Sequence, residues 1–102
     1  MNKNYEHITK MENIMKKQEE SITKLKEILD DINKQNKDYK ELFDYYYSKQ
    51  RMEDLKLEEK HLIPENIDRG VLSEDGIYNL FLDTHDIALH MIESALKLLK
   101  IN

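Results

Sequence analysis

Apolar side chains recur at alternating intervals of three and four residues through the first third of the chain. This spacing places them on one face of an α-helix. The pattern predicts a helix over residues 4–35. The residues on the repeat are Ile8, Met11, Met15, Gln18, Ile22, Leu25, Leu29 and Ile32, flanked by Ile14 and Ile28.

Gln18 is a polar residue inside this stripe. A polar residue in a helix seam can specify register at some cost in stability, although a merely tolerated glutamine is the simpler interpretation. Residues 33–38 contain no apolar side chain, which indicates a helix end or bend. A second helix is predicted over 38–50, with an apolar face of Tyr39, Leu42, Phe43 and Tyr46.

A loop is predicted over about 58–72, because the apolar pattern is lost and Pro64 favours an extended residue before it. The third helix is predicted over 73–100, with Ser73 as its N-cap and acidic residues in its first turn. Its main apolar stripe contains Ile77, Leu80, Phe81, Ile87, Ala88, Met91, Ile92, Ala95, Leu98 and Leu99. Tyr78, Leu82, Leu89 and Leu96 widen the apolar arc to roughly 220°.

The length and the apolar breadth of these helices favour self-association. A helix over 4–35 is roughly 48 Å long at 1.5 Å per residue, whereas a compact 100-residue domain has a radius of gyration near ~13 Å. We therefore expect one all-α domain, 1–102, whose bundle is completed by oligomerisation; the alternative is a monomeric three-helix bundle. The expected interface consists of Ile8, Met11, Met15, Ile22, Leu25, Leu29, Tyr78, Leu82, Leu89 and Leu96.

Composition excludes several classes of protein. The chain has no cysteine, which removes disulfide frameworks and thiolate metal sites. It has no apolar run of the ~20 residues that a membrane span needs and no signal-peptide pattern, so a cytoplasmic location is expected. The net charge is −5, and lysines alternate with acids, which disfavours binding to DNA or RNA.

One cluster combines aromatic and basic residues. Aromatic rings can stack on a base and arginine can hold a phosphate, so the cluster is a candidate site for a small nucleotide. Tyrosines at such positions are more often packing or interface residues. His85 lies on the apolar arc of the third helix, where a packed histidine is the simpler alternative to a ligand contact. The candidate ligand-binding residues are Tyr45, Tyr46, Tyr47, Lys49, Arg51, Arg69 and His85.

Metal binding and catalysis have weaker support. Asp86, His90 and Glu93 share one helical face and could bind a divalent metal, but a solvated polar face is favoured. There is no nucleophile–base pair and no glycine-rich phosphate loop. We therefore expect no enzymatic activity and no cofactor, and a metal-dependent hydrolase is the weakest hypothesis.

The stretch Arg69-Gly70-Val71-Leu72-Ser73-Glu74-Asp75-Gly76-Ile77-Tyr78, within a longer match over 63–80, resembles an uncharacterised family of small bacterial helical proteins. Residues 38–42 and the pair Tyr45-Tyr46 extend the similarity. The family is a domain of unknown function common in Gram-positive bacteria. Where its pattern has a glycine and a tryptophan, this chain has Tyr47 and Arg51. The resemblance implies a helical fold and a bacterial or phage origin, without an activity.

Two functions are therefore expected in order of preference. The first is a non-enzymatic helical module that self-associates and binds a partner protein as an adaptor or inhibitor. The second is a protein that sequesters a small nucleotide signal, with a phage-encoded counter-defence as one form of that function. The tyrosine cluster motivates the second, and the exposed apolar helix surface motivates the first.

Overall fold

The computed structural model describes residues 3–102, and its regular elements are all helical. A 3₁₀ turn at Lys3–Tyr5 leads into α1 (Glu6–Tyr46), followed by α2 (Lys49–Glu59), a second 3₁₀ turn at Gly70–Leu72 and α3 (Gly76–Ile101). This order confirms the predicted all-α fold with a long first helix, a shorter second helix, a loop and a long third helix. The chain divides into two compact units, Met1–Leu42 and Phe43–Asn102.

Within the described part of the first unit, α1 runs through the polar segment 33–38 without interruption. The helix end predicted at residue 35 is therefore wrong. Asparagine, lysine, glutamine and aspartate cost at most ~0.7 kcal/mol per residue in a helix, and the segment contains no proline or glycine to break it. Losing the apolar stripe removes a packing surface but does not end a helix.

The junction between α1 and α2 is built around Ser48. Its Oγ accepts a hydrogen bond from the Arg51 backbone N–H at 3.1 Å and donates one to the Tyr45 carbonyl at 2.6 Å. Ser48 has extended backbone angles and is the N-cap of α2. Residues 38–46 thus belong to α1, and the second helix occupies 49–59 instead of the predicted 38–50.

The C-terminal end of α2 is closed by a left-handed residue, His61, with φ 58°. The His61 N–H donates to the Glu58 carbonyl at 3.0 Å, and the Leu62 N–H donates to the Leu57 carbonyl at 3.0 Å. This pair of bonds is the Schellman motif, which satisfies the last free carbonyls of a helix. It separates α2 from the loop that the sequence predicts.

The start of α3 differs from the predicted one: the helix begins at Gly76 with Asp75 as its N-cap and no acidic residue in its first turn, so the prediction of Ser73 as the N-cap is wrong. Ser73 is extended, and its Oγ accepts the Gly76 N–H at 3.1 Å and donates to the Gly70 carbonyl at 2.7 Å. A Cβ atom on Gly76 would lie 2.5 Å from that Oγ and 2.7 Å from the Gly70 oxygen. The turn from Gly70 to Gly76 therefore favours a residue without a side chain at position 76.

The second unit packs around the start of α3. The 3₁₀ turn at Gly70–Leu72 contacts both α2 and α3. Among residues 4–102, Ile77 alone is buried, at 3% exposure. Half-buried apolar residues of the second unit include Leu55, Ile63, Leu72, Phe81 and Ala88. No helix in residues 3–102 combines the length and the apolar character that a bilayer span requires.

Candidate functional site: a ring cluster and two apolar helix faces

Four aromatic rings form a connected cluster where the last turn of α1 meets α3. Phe81 on α3 lies 5.2 Å from Phe43 and 5.4 Å from Tyr46 between ring centroids. Tyr47 completes the group at 4.9 Å from Tyr46 and 5.2 Å from Phe43. We call Phe43, Tyr46, Tyr47 and Phe81 the ring cluster. Tilted and edge-on contacts at these distances are favourable, so the cluster fixes the end of α1 against α3.

Arg51 covers one side of the ring cluster. Its guanidinium carbon lies 4.6 Å from the centroid of the Tyr46 ring, within the range of a cation–π interaction. Its Nε donates a hydrogen bond to the Val71 carbonyl at 3.3 Å. This one side chain therefore links α2 both to the aromatic rings and to the 3₁₀ turn before α3.

Tyr45 faces α2 and is bound to a carboxylate. Its hydroxyl donates to Asp54 Oδ2 at 2.6 Å, and Gln50 Nε2 donates to Asp54 Oδ1 at 2.9 Å. Burial first, and then the hydrogen bond to Asp54 and its negative charge, raise the pKa of Tyr45 to about 12, against a smaller lowering by Arg51. The bonds from Tyr45 and Gln50 lower the pKa of Asp54. Both groups therefore keep their ordinary ionisation at neutral pH, and neither is poised to transfer a proton.

Arg69 forms an ion pair that ties the loop to α2. Its Nε lies 3.4 Å from Glu58 Oε2. That oxygen is shielded from solvent and accepts no hydrogen bond in the described chain, so the arginine charge is its compensation. Because both side chains remain about one-third exposed, solvent screens the pair and its contribution to stability is small.

Two long apolar faces remain exposed outside this cluster. On α1, Ile8, Met11, Met15, Ile22 and Leu25 are 44–55% exposed, and Leu29 is half-buried. On α3, Tyr78, Leu82, Leu89 and Leu96 are 46–54% exposed. These ten residues are the interface predicted from the sequence. The structure places each set along its own helix and leaves it accessible.

Comparison with known proteins assigns the chain to a family. A family model described as a domain of unknown function, DUF4298, matches residues 8–94. The chain belongs to the DUF4298 family. The match runs from the first apolar residue of α1 almost to the end of α3, and it confirms the resemblance at the level of an uncharacterised domain. No curated protein and no solved structure matches this chain.

The DUF4298 structure brings together only part of the predicted ligand site. Tyr46, Tyr47 and Arg51 meet at the ring cluster, but Tyr45 is bonded to Asp54 and Arg69 is paired with Glu58. The remaining two candidates, Lys49 in the first turn of α2 and His85 on α3, are exposed. Three of the seven predicted residues, Tyr45, Arg51 and Arg69, thus bond to acceptors within the protein. Nucleotide binding stays a prediction.

The weak metal candidates of this DUF4298 chain do not form a site. Asp86, His90 and Glu93 are all exposed on α3. In residues 3–102 no three histidine, aspartate or glutamate side chains are grouped so that they could hold a metal ion. The i, i+4, i+7 spacing places them on one face without converging their ligand atoms, because residues 86 and 93 are two turns apart.

Sequence reasoning missed several residues that build this region of the DUF4298 fold. Ser48 precedes a helical stretch and is a standard N-cap residue type, so its role could have been found. Asp54 and Gln50 lie four residues apart on α2, which indicates a possible pair but not the contact with Tyr45. The pairing of Glu58 with Arg69 could not be predicted, because an irregular loop separates the two residues in the sequence.

Proposed function

We propose that this DUF4298 protein is a non-enzymatic helical interaction module that self-associates and binds a partner protein as an adaptor or inhibitor. One observation supports the proposal: in the described chain a single residue is buried, while apolar side chains line both long helices. A cytoplasmic location and a bacterial or phage origin belong to the same proposal and rest on the sequence arguments given above.

Folding must offset the conformational entropy that the chain loses. Fixing the backbone of each residue costs ~1–2 kcal/mol, and full burial of a leucine, isoleucine or methionine side chain returns ~1.5–3 kcal/mol. Because Ile77 alone is buried in the described chain, the core of a single chain offsets little of this entropy cost. A second protein that covers the apolar faces of α1 and α3 buries the apolar area that a single chain leaves exposed. Exposed apolar stripes of this length are typical of surfaces that bind other proteins.

Sedimentation equilibrium on the full chain tests self-association. We expect an oligomer at micromolar concentration, weakened by Leu25→Lys, which places a charge in the apolar face of α1. Glu27→Lys is the matched control, because Glu27 is exposed on the same helix and lies outside the stripe. A strict monomer at tens of micromolar would remove the basis of the proposal.

Partner binding needs a separate retention experiment. Wild type, Leu89→Lys and Asp86→Lys are each immobilised, and a protein retained in stoichiometric amount is identified. That protein is then purified and its binding to the three immobilised proteins is measured again. We expect retention by wild type and Asp86→Lys, and loss with Leu89→Lys, because Leu89 lies on the apolar flank of α3 and Asp86 on its polar face. Equal retention by all three would place partner binding elsewhere, and no stoichiometric partner would contradict the adaptor or inhibitor role.

A further inference from the structure

Asp75 and Gly76 form a pair in which the backbone can react with a side chain. A bond between the Asp75 carboxyl carbon and the Gly76 backbone nitrogen closes a five-membered ring. Glycine hinders this closure least, because it has no Cβ beside the attacking nitrogen and its backbone turns freely. Gly76 is the only glycine in the sequence that follows an aspartate or an asparagine, and both residues of the pair are exposed.

The fold favours keeping this reactive pair. A side chain at position 76 would hinder ring closure, but its Cβ would lie 2.7 Å from the Gly70 carbonyl oxygen. The Asp75 carboxylate is also not held by the helix that it precedes, because this N-cap residue makes no side-chain capping hydrogen bond. The nucleophile and the carboxyl group are thus both present at the start of α3.

The folded conformation nevertheless keeps the two groups apart. Ring closure requires the Gly76 nitrogen to eclipse Asp75 Cβ when viewed along the bond from Cα to the carbonyl carbon. The ψ angle of Asp75 is −8°, so the Gly76 nitrogen instead nearly eclipses the backbone nitrogen of Asp75. The peptide plane between the two residues must therefore rotate before the ring can form.

Two hydrogen bonds hold that peptide plane in place. The Gly76 N–H donates to Ser73 Oγ at 3.1 Å, and the Asn79 N–H donates to the Asp75 carbonyl at 2.8 Å. The Ser73 hydroxyl is itself oriented, since it donates to the Gly70 carbonyl at 2.7 Å. Rotation of the plane breaks both of its bonds and opens the first turn of α3. Such local opening is a normal fluctuation of a helix end.

We infer that Asp75–Gly76 is a site of isoaspartate formation, and that the Ser73 hydroxyl slows the reaction by holding the start of α3 closed. Isoaspartate is the isomer of aspartate in which the main chain runs through the side-chain carbonyl. The inference concerns a covalent modification and does not depend on the proposed function.

The reaction needs only water. The Gly76 nitrogen attacks Asp75 Cγ, a C–N bond forms, and the Cγ–O bond breaks. The hydroxyl group of the protonated carboxyl and the amide proton leave together as water. Water then adds to one of the two imide carbonyls. Opening at Cγ restores aspartate, and opening at the former backbone carbonyl gives isoaspartate with no net change in mass.

The product no longer fits the start of α3. Isoaspartate lengthens the main chain by one carbon at residue 75 and converts the carbonyl that accepts from Asn79 into a free carboxylate. The change lies two residues before Ile77, the buried residue of the described chain. The modification therefore loosens the second unit at the point where it is best packed.

Incubation of the full-length protein at mildly acidic pH tests the site. One sample is folded and the other is unfolded in guanidinium chloride. The tryptic peptide 70–97 is then isolated, and isoaspartate is located by electron-transfer fragmentation. Asp83 and Asp86 are internal controls in the same peptide, because each precedes a residue with a side chain. In the unfolded sample we expect isoaspartate at Asp75 to form at least about ten-fold faster than at either control.

The folded sample tests the control by conformation. Reaction through a rare open state follows the population of that state, so folded wild type should react at least about ten-fold more slowly than the unfolded chain. Ser73→Ala removes one hydrogen bond from the closed state and should raise the folded rate about five-fold. Ser21→Ala is the matched control, because Ser21 is exposed within α1, and it should react as wild type.

Each part of the inference has an outcome that overturns it. Equal rates at Asp75, Asp83 and Asp86 in the unfolded chain would show that the pair is not a preferred site. Equal rates in folded and unfolded wild type would show that the start of α3 does not limit the reaction, and this comparison needs no variant to fold. A wild-type rate in Ser73→Ala would remove the role of the hydroxyl.

Discussion

Gly76 lies too close to the Gly70 carbonyl oxygen for any side chain. In an ordinary helix, glycine to alanine stabilises by ~1 kcal/mol, but here the new Cβ would meet that oxygen at 2.7 Å and the Ser73 Oγ at 2.5 Å. We expect Gly76→Ala to lower the free energy of unfolding by about 1–2 kcal/mol, as overpacking does. Urea denaturation at fixed protein concentration measures it.

Gly70→Ala is the matched control for this substitution. A Cβ at position 70 has nothing within 4 Å, and neither glycine of the chain has a positive φ. Alanine there should be neutral or stabilising by up to about 1 kcal/mol, because it restricts the unfolded chain. Equal losses at the two positions would show that the close approach at Gly76 does not govern stability.

The bond between Tyr45 and Asp54 predicts a pH dependence at both ends of the range. The pKa of Asp54 is lowered on folding, so its stabilisation is present above the unfolded pKa of about 3.9 and lost as pH falls through the lowered pKa. The pKa of Tyr45 is raised from 10.0 to about 12, so its stabilisation is present below pH 10 and lost as pH rises through about 12.

A carboxylate substitution separates the causes of the Tyr45 shift. Asp54→Asn removes the negative charge and weakens the hydrogen bond while leaving burial in place. The pKa of Tyr45 should then fall part of the way from about 12 towards 10.0. Phenolate absorbance, compared with and without Tyr45→Phe, isolates this titration from the other tyrosines. Tyr47→Phe is the control, because Tyr47 is 69% exposed. An unchanged pKa in Asp54→Asn would assign the whole shift to burial.

At the scale of the elements, His61 ends α2 in a conformation that suits glycine. Its φ of 58° costs a residue with a side chain ~1–2 kcal/mol, whereas glycine adopts it freely. His61→Gly should therefore raise the free energy of unfolding by about 0.5–1 kcal/mol after the larger backbone entropy of glycine is subtracted. His90→Gly, within α3, should lower it by about 1 kcal/mol. Chemical denaturation of the two variants compares them, and destabilisation by His61→Gly would contradict the left-handed end.

The same elements show what the sequence can predict. The heptad spacing from Ile8 to Ile32 and the apolar stripe that begins at Ile77 are local patterns, and each predicted that its helix exists but not where the helix ends or begins. The helix end predicted at residue 35 was wrong because segment 33–38 lacks an apolar stripe, and a polar helical segment has the same sequence pattern as a loop. Contacts such as Arg51 with Val71 and Arg69 with Glu58 join residues separated by irregular chain, where no periodicity relates the partners.

At the scale of the whole molecule, the proposed association predicts that stability depends on protein concentration. When folding and association are coupled, a hundred-fold rise in protein concentration adds RT ln 100, about 2.7 kcal/mol, to the stability of the folded assembly. For roughly 200 residues in a dimer, this corresponds to an increase in Tm of about 5–10 °C.

Thermal unfolding followed by circular dichroism measures this shift. The two samples are at the lowest usable protein concentration and at a concentration one hundred times higher. Leu25→Lys should melt at a lower temperature and respond less to concentration, because the charge weakens the seam without changing the rest of the fold. Glu27→Lys should behave as wild type. If the wild-type Tm is the same at both concentrations, the exposed apolar faces do not stabilise the fold through association. A single chain must then offset its loss of conformational entropy with Ile77 and the half-buried residues of the second unit alone.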